Sequence, residues 1–218
     1  MIDLVRRTTW ISIIVQVLTG VVILYALLRS GRMPIKSILL RDLLILEGSV
    51  QLVELIFYVY IVMTLNSHTS LKSMASKRYM DWVVTTPVML ITLAAYFTGK
   101  FDKSFGTFWK ENAQRLVSMM AANELMMAFG LMGELGLLPM GLATLAGFLA
   151  FALAFRILYS FTTPSSRAIF WVVTVVWTIY GIAYMFPPVV KNTTYNFLDL
   201  VAKNFFGVYL SIQILKTL

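Results

Sequence analysis

The chain has 218 residues, of which 59% are hydrophobic and only 13% charged, and its mean hydropathy is +0.81. Soluble domains carry roughly 25% charge, so this composition excludes a soluble globule, a disordered chain and, with no cysteine, a disulfide scaffold or thiolate metal site. The net charge of +8 sits in short gaps between apolar runs, which points to lipid headgroups rather than nucleic acid.

Seven apolar runs are long enough to span ~30 Å of hydrocarbon. They lie near 8–28, 37–64, 79–98, 114–134, 137–160, 168–187 and 194–216. The first is too long for a signal peptide and no small-x-small cleavage site follows it. Loops are short, apart from a Ser/Thr-rich 65–78 and a longer 99–113. His68, the one histidine, falls in the first of these and predicts no metal site. The expected fold is an all-α membrane protein, a seven-transmembrane-helix bundle forming a single domain over 1–218 and residing as an integral multi-pass protein in a plasma membrane. One set of gaps holds Arg29, Arg32, Lys36, Lys100, Lys103, Lys110, Arg115, Arg156, Arg167 and Lys216; the other holds only Arg6, Arg7, Lys72, Lys77, Arg78 and Lys191. The richer side is expected to be cytoplasmic, with the N-terminus outside and the C-terminus inside.

Ionisable residues inside the spans are costly and are functional candidates by default. Helix two carries Glu47 and Glu54 with Gln51 between them, helix three Asp81, helix four Glu124, and helix seven Asp199 and Lys203. Asp199 and Lys203 are four apart and share a helix face. Lys203 is too deep to snorkel. The pair is read either as a buried ion pair or as a lysine that forms a Schiff base with a carbonyl ligand, Asp199 and Asp81 serving as counterions.

Helix three reads Arg78-Tyr79-Met80-Asp81-Trp82-Val83-Val84-Thr85-Thr86-Pro87, and helix seven reads Leu198-Asp199-Leu200-Val201-Ala202-Lys203-Asn204-Phe205-Phe206-Gly207. These segments resemble the R-Y-x-D-W-x-x-T-T-P and L-D-x-x-A-K-x-x-F-G signatures of microbial (type 1) rhodopsins, and Trp177-Thr178-Ile179-Tyr180 is similar to that family's W-x-x-Y segment. The resemblance runs over all seven spans. It implies all-trans retinal held by Lys203 as a protonated Schiff base, with Asp81 as primary counterion and proton acceptor and Asp199 as second counterion. Arg78 would support the cluster and Thr85 would hydrogen-bond Asp81. Trp82, Thr86, Met89, Met126, Gly130, Trp177, Tyr180, Gly181 and Tyr184 would wall the chromophore, and Met89 implies green absorption.

Departures from the family pattern bear on function. Eleven residues after Asp81, where outward proton pumps of the family hold a carboxylate, stands Thr92, which cannot donate a proton near neutral pH. No acid lies between Tyr184 and Asp199; Lys191 stands there instead. Helix five has no tryptophan, so that pocket wall is not transferable. Glu134 is expected at the interface and Glu124 as a hydrogen-bond partner.

Glu47, Gln51, Glu54 and Tyr58 fall on one helix face. Such a stripe packs in the bundle or lines a cation path, with Asn196 and Ser12 completing the ring. A helix-two glutamate row with Asn196 and Asp199 resembles the giant-virus group 1 rhodopsins, which implies a light-gated cation channel passing monovalent cations or protons. A weak outward proton pump with Glu47 or Glu54 replacing the missing donor is the second reading, and a photosensor signalling through a partner the third. A transducer protein is not expected, enzymatic activity is not expected, and a homo-oligomer is compatible with the sequence.

Overall fold

In hydrocarbon no water meets a backbone N–H or C=O, so an apolar run must close its hydrogen bonds within itself. The computed structural model describes residues 2–32, 37–65 and 71–218; His68 and Lys36 lie outside them. Its spans are α1 (Ile2–Arg29), α2 (Ile38–Leu65), α3 (Leu71–Phe97), α4 (Phe105–Glu134), α5 (Met140–Tyr159), α6 (Arg167–Ala183) and α7 (Pro188–Lys216). Six of these are long and apolar enough to cross a bilayer, and α6 adds a shorter apolar helix. The seven-helix, multi-pass membrane architecture expected from the hydropathy pattern is the one observed.

Several helices outrun their apolar segments. α1 begins six residues before the expected run, α3 begins at Leu71 and α4 at Phe105, so the expected loops 65–78 and 99–113 shrink to short connections. Hydropathy marks only the part of a helix immersed in lipid, whereas the i→i−4 ladder continues into the headgroup layer until a breaker stops it. The stops are chemical. Gly99 and Gly136, with φ of 67° and 75°, take the left-handed conformation just beyond α3 and α4. Pro139 precedes α5, and Pro187 and Pro188 open α7. Ser104 caps α4 by accepting from the Thr107 N–H at 3.3 Å, and Asp42 on α2 accepts from the Phe105 N–H at 3.0 Å, tying that helix start to the bundle.

The molecule is apolar outside, and its largely apolar interior encloses a set of buried polar side chains. Leu18, Leu28, Met63, Leu149 and Phe205 are each more than 60% exposed, as a lipid-facing belt requires. α3 is the innermost helix, buried over 72% of its apolar stretch against 22% for α4. It therefore carries its functional side chains into the centre of the bundle. Towards the C-terminal end the centre is sealed by Leu40, Leu43, Leu44, Leu210 and Ile214, all buried.

Glu134 departs from its expected interfacial position. It is 7% exposed and accepts from Lys191 Nζ at 2.5 Å, joining the end of α4 to the start of α7. A proline pair at 187–188 brings Lys191 inward, a turn that hydropathy does not encode. Lys191→Ala leaves a buried, unpaired carboxylate, which typically costs about 3–5 kcal/mol. The expected result is a clearly lower melting temperature, recovered in part by the double variant Lys191→Met/Glu134→Gln; an unchanged melting temperature would remove the latch.

Candidate functional site

Lys203 sits in a break of the α-helical ladder. Residues Leu200–Asn204 form one wide π turn between the two α-helical parts of α7, and such turns recur at functional sites. The turn aims the lysine into the bundle, where it is 3% exposed. Its Nζ lies 2.6 Å from Asp81 Oδ2, 3.7 Å from Glu54 Oε1 and 3.8 Å from Asp199 Oδ1.

The two aspartates are held differently. Asp81 Oδ2 takes the short bond from Lys203, and its Oδ1 has no hydrogen-bond partner. Asp199 is anchored by three donors: Tyr58 and Tyr180 hydroxyls, each at 2.6 Å, and Arg78 Nη1 at 3.2 Å. Arg78 also donates to Asn192 at 3.3 Å and to Asn196, and is 2% exposed. A buried guanidinium needs this many acceptors to offset its desolvation. Thr85 differs from expectation: its hydroxyl donates to the backbone carbonyl of Asp81 at 3.0 Å, not to the carboxylate. An inward-facing helical threonine finds the i−4 carbonyl first, while the carboxylate is drawn to Lys203.

A cavity extends from Lys203 across the bundle. Trp82, Thr86, Met89, Met126, Gly130, Trp177, Tyr180, Gly181 and Tyr184, the whole set expected from the sequence, line it. Trp82 meets Tyr180 and Tyr195 edge-on, with centroids 5.6 and 4.9 Å away. Sequence reasoning missed the α5 wall, made by Ala143, Thr144, Gly147, Phe148 and Phe151. Small residues and phenylalanines alternate there, and the only signal was that pattern. Tyr195 and Tyr79 were likewise missed as lining residues. Glycines thin the walls: a Cβ at Gly181 would strike the Phe148 ring, and one at Gly130 would strike Tyr79.

The helix-two stripe is buried, but it divides. Glu54, fully buried, belongs to the Lys203 cluster and accepts weakly from Gln51 Nε2 at 3.4 Å. Glu47 stands apart, accepting a hydrogen bond from Thr92. It borders a second cavity with Met89, Trp177, Ala202 and Tyr209. Ser12 and Asn196 meet as expected: the Ser12 hydroxyl donates to the Asn196 carbonyl at 3.2 Å, and Asn196 Nδ2 donates to Thr8 and Thr9 at 2.8 and 3.1 Å. Glu124 is half-buried and accepts from Asn123 Nδ2 at 3.2 Å; the same amide reaches Thr86 at 2.8 Å.

No curated protein sequence matches the chain at a significant level. Among solved structures, it is similar over 99% of its length to all of the viral rhodopsin OLPVRII, with 26% identity and a TM-score of 0.85. It also superposes over 97% of its length on 96% of a blue light-absorbing proteorhodopsin from Med12, at 21% identity and TM-score 0.76. A third neighbour is a cyanorhodopsin from Tolypothrix sp. NIES-4075, at 22% identity and TM-score 0.76 over 97% of this chain and 94% of that one; the likeness to these last two concerns the fold. Rhodopsins of this kind bind retinal as their chromophore. The family model described as bacteriorhodopsin-like protein matches residues 4–217, and so the chain belongs to that family, as a microbial rhodopsin photoreceptor of the membrane.

Proposed function

We propose that residues 1–218 form one retinal-binding unit in which Lys203 holds all-trans retinal, and that the protein works as a light-gated cation channel. The cavity suits that group. An amine stands at one end with a carboxylate at 2.6 Å, the walls are apolar and aromatic, and glycines replace side chains where a ring needs room. When bound, retinal supplies light absorption and a light-driven change of shape.

The protein's own groups do the rest. Asp81 Oδ2 balances the positive charge at Lys203 Nζ and takes its proton after illumination. Asp199, locked by Tyr58, Tyr180 and Arg78, keeps its position while Asp81 is neutralised. Trp82 and Trp177 line the cavity and would exclude water from the bound group.

The observation that carries the channel reading is a buried polar column on α1, α2, α3 and α7. Thr8 and Ser12 meet Asn196, Arg78 joins Asn196 to Asp199, and Glu54, beside Gln51, lies 3.7 Å from the lysine amine. Any motion of Lys203 therefore acts directly on a carboxylate in the column. Beyond it, Glu47 and the leucine seal close the path in the dark. With the N-terminus outside, as the charge distribution argues, monovalent cations would enter at Asn196 and leave past Glu47. The second reading, an outward proton pump, is favoured by one specific contact. The Glu47 carboxylate is hydrogen-bonded to Thr92, so an acid stands at the place where the α3 residue itself is only a hydroxyl.

Voltage clamp of illuminated cells tests the readings. A current that reverses with the cation gradient is expected. A non-reversing outward current would replace the channel by the pump, and silence would favour a photosensor. Glu47→Ala should change the photocurrent and leave the visible band in place. Glu54→Ala should change both, because Glu54 lies beside the lysine. Normal currents in both variants would return the two glutamates to a packing role.

A further inference from the structure

One layer of the bundle holds buried polar atoms that have no hydrogen-bond partner. Gln16 is 1% exposed, yet neither its Nε2 nor its Oε1 has a hydrogen-bond partner. Glu54 Oε1 and Asn204 Oδ1 also make no hydrogen bond. An unmet buried polar group costs about 1–3 kcal/mol, so four such atoms together point to something polar that meets them.

The register of the helices sets these three residues at one level. α1 runs alongside α7, with Ser12 bonded to Asn196, and a Cβ at Gly207 would meet Ile23 and Thr19. Gln16 lies between those contacts, level with the π turn Leu200–Asn204. Across α2, Val5 clusters with Ile61 and Leu65, and a Cβ at Gly48 would meet Ile23 at 3.4 Å. Gln16 thus falls opposite Gln51 and Glu54. It stands on the α1 side of Lys203, whereas Asp81 and the cavity stand on the other.

Charge gives the second argument. The cluster contains three carboxylates, Glu54, Asp81 and Asp199, against two cations, Arg78 and Lys203. The acids outnumber the cations by one, and Glu54 is the acid that no Arg or Lys approaches within 3.5 Å. Amide and carboxylate oxygens in a narrow space replace the hydration shell of a small monovalent ion.

We propose that Gln16, Glu54 and Asn204 form a monovalent-cation site on the α1 side of Lys203. The groups facing Glu54 are Lys203 and Asp199 from α7, Asp81 and Arg78 from α3, Tyr58 from α2 and Tyr180 from α6; the adjoining α1 face offers only Ser12, Gln16 and Thr19. The site gives the column its ion-binding step. The proposal borrows from the reading above only that Lys203 carries the chromophore, as a spectral reporter.

Two dark measurements on the full-length protein test it, both in NaCl, KCl or N-methylglucamine chloride at equal ionic strength. The first is the visible spectrum. A carboxylate beside the amine stabilises the ground-state charge, so neutralising it moves absorption to the red. Sodium or potassium should produce a saturable red shift that the bulky N-methylglucamine does not. The second is the tryptophan-fluorescence melting temperature, which needs no chromophore and rises with any ion that binds the folded state. Glu54→Gln should abolish both responses. Gln16→Leu, similar in size, should raise the half-saturating concentration by up to about tenfold, the loss of one hydrogen-bonding ligand; Asn204→Leu should do the same. Identical spectra and melting temperatures in the three salts would overturn the site and leave water as its occupant. So would a Gln16→Leu variant that responds like the parent. A colourless parent whose melting temperature still follows sodium would overturn the retinal reading and keep the site.

Discussion

Lys203→Ala is expected to yield a colourless protein that still inserts into the membrane. Lys203 is the one amine in the cavity, and it is the residue that the π turn of α7 directs there. Its removal also leaves Asp81, Glu54 and Asp199 facing Arg78 alone, and stripping a partner from buried charges costs about 3–5 kcal/mol. Loss of colour and loss of stability must therefore be separated. Lys203→Arg does this, because it keeps the positive charge but cannot hold retinal. Both variants should lack a visible band after addition of all-trans retinal, while Lys203→Arg should melt closer to the parent. A visible band in either would reject Lys203 as the attachment site.

Asp81→Asn is expected to shift the band to the red and slow the departure of the proton from Lys203 Nζ. The amide keeps the shape of the side chain but loses the charge that sits 2.6 Å from that nitrogen. Removing a positioned base of this kind costs roughly 10²–10⁴-fold in rate. Asp199 cannot readily substitute. Its Oδ1 is 3.8 Å from Nζ, and both its oxygens are engaged by Tyr58, Tyr180 and Arg78. Flash spectroscopy reads the proton transfer directly. An unchanged spectrum and unchanged kinetics would mean that Asp199, not Asp81, is the primary counterion and acceptor. The structure makes these alternatives distinct because the two carboxylates, indistinguishable by residue type, have different partners.

The seven spans were legible in the sequence because a segment surrounded by lipid advertises itself residue by residue, through unbroken hydropathy. The buried ionisable residues were legible for the converse reason, since each interrupts an apolar run. Asp81, Asp199, Lys203, Glu47 and Glu54 all lie within the bundle, 3% exposed or less. Charges near the helix ends were harder to place. Glu134 and Lys191 looked interfacial or unassigned, and only the approach of α4 to α7 pairs them.

What the sequence by itself determined is the set of helices and the chemistry each brings to the centre, because burial in lipid is a local property of composition and period. What only the tertiary structure decided is which of these groups meet. Glu47 and Glu54 are equivalent in a one-dimensional stripe; packing of α2 against α3 and α7 hands Glu47 to Thr92 and Glu54 to Lys203. Thr85 turns to the Asp81 carbonyl instead of its carboxylate. α5, without a tryptophan to mark it, supplies a wall through Gly147 and Phe148. Gln16, an unremarked polar residue in an apolar helix, becomes the least satisfied side chain of the core. Each of these outcomes depends on the rotation and depth of one helix relative to another. Those are set by the sum of many interhelical contacts, and no window of the sequence contains both sides of them.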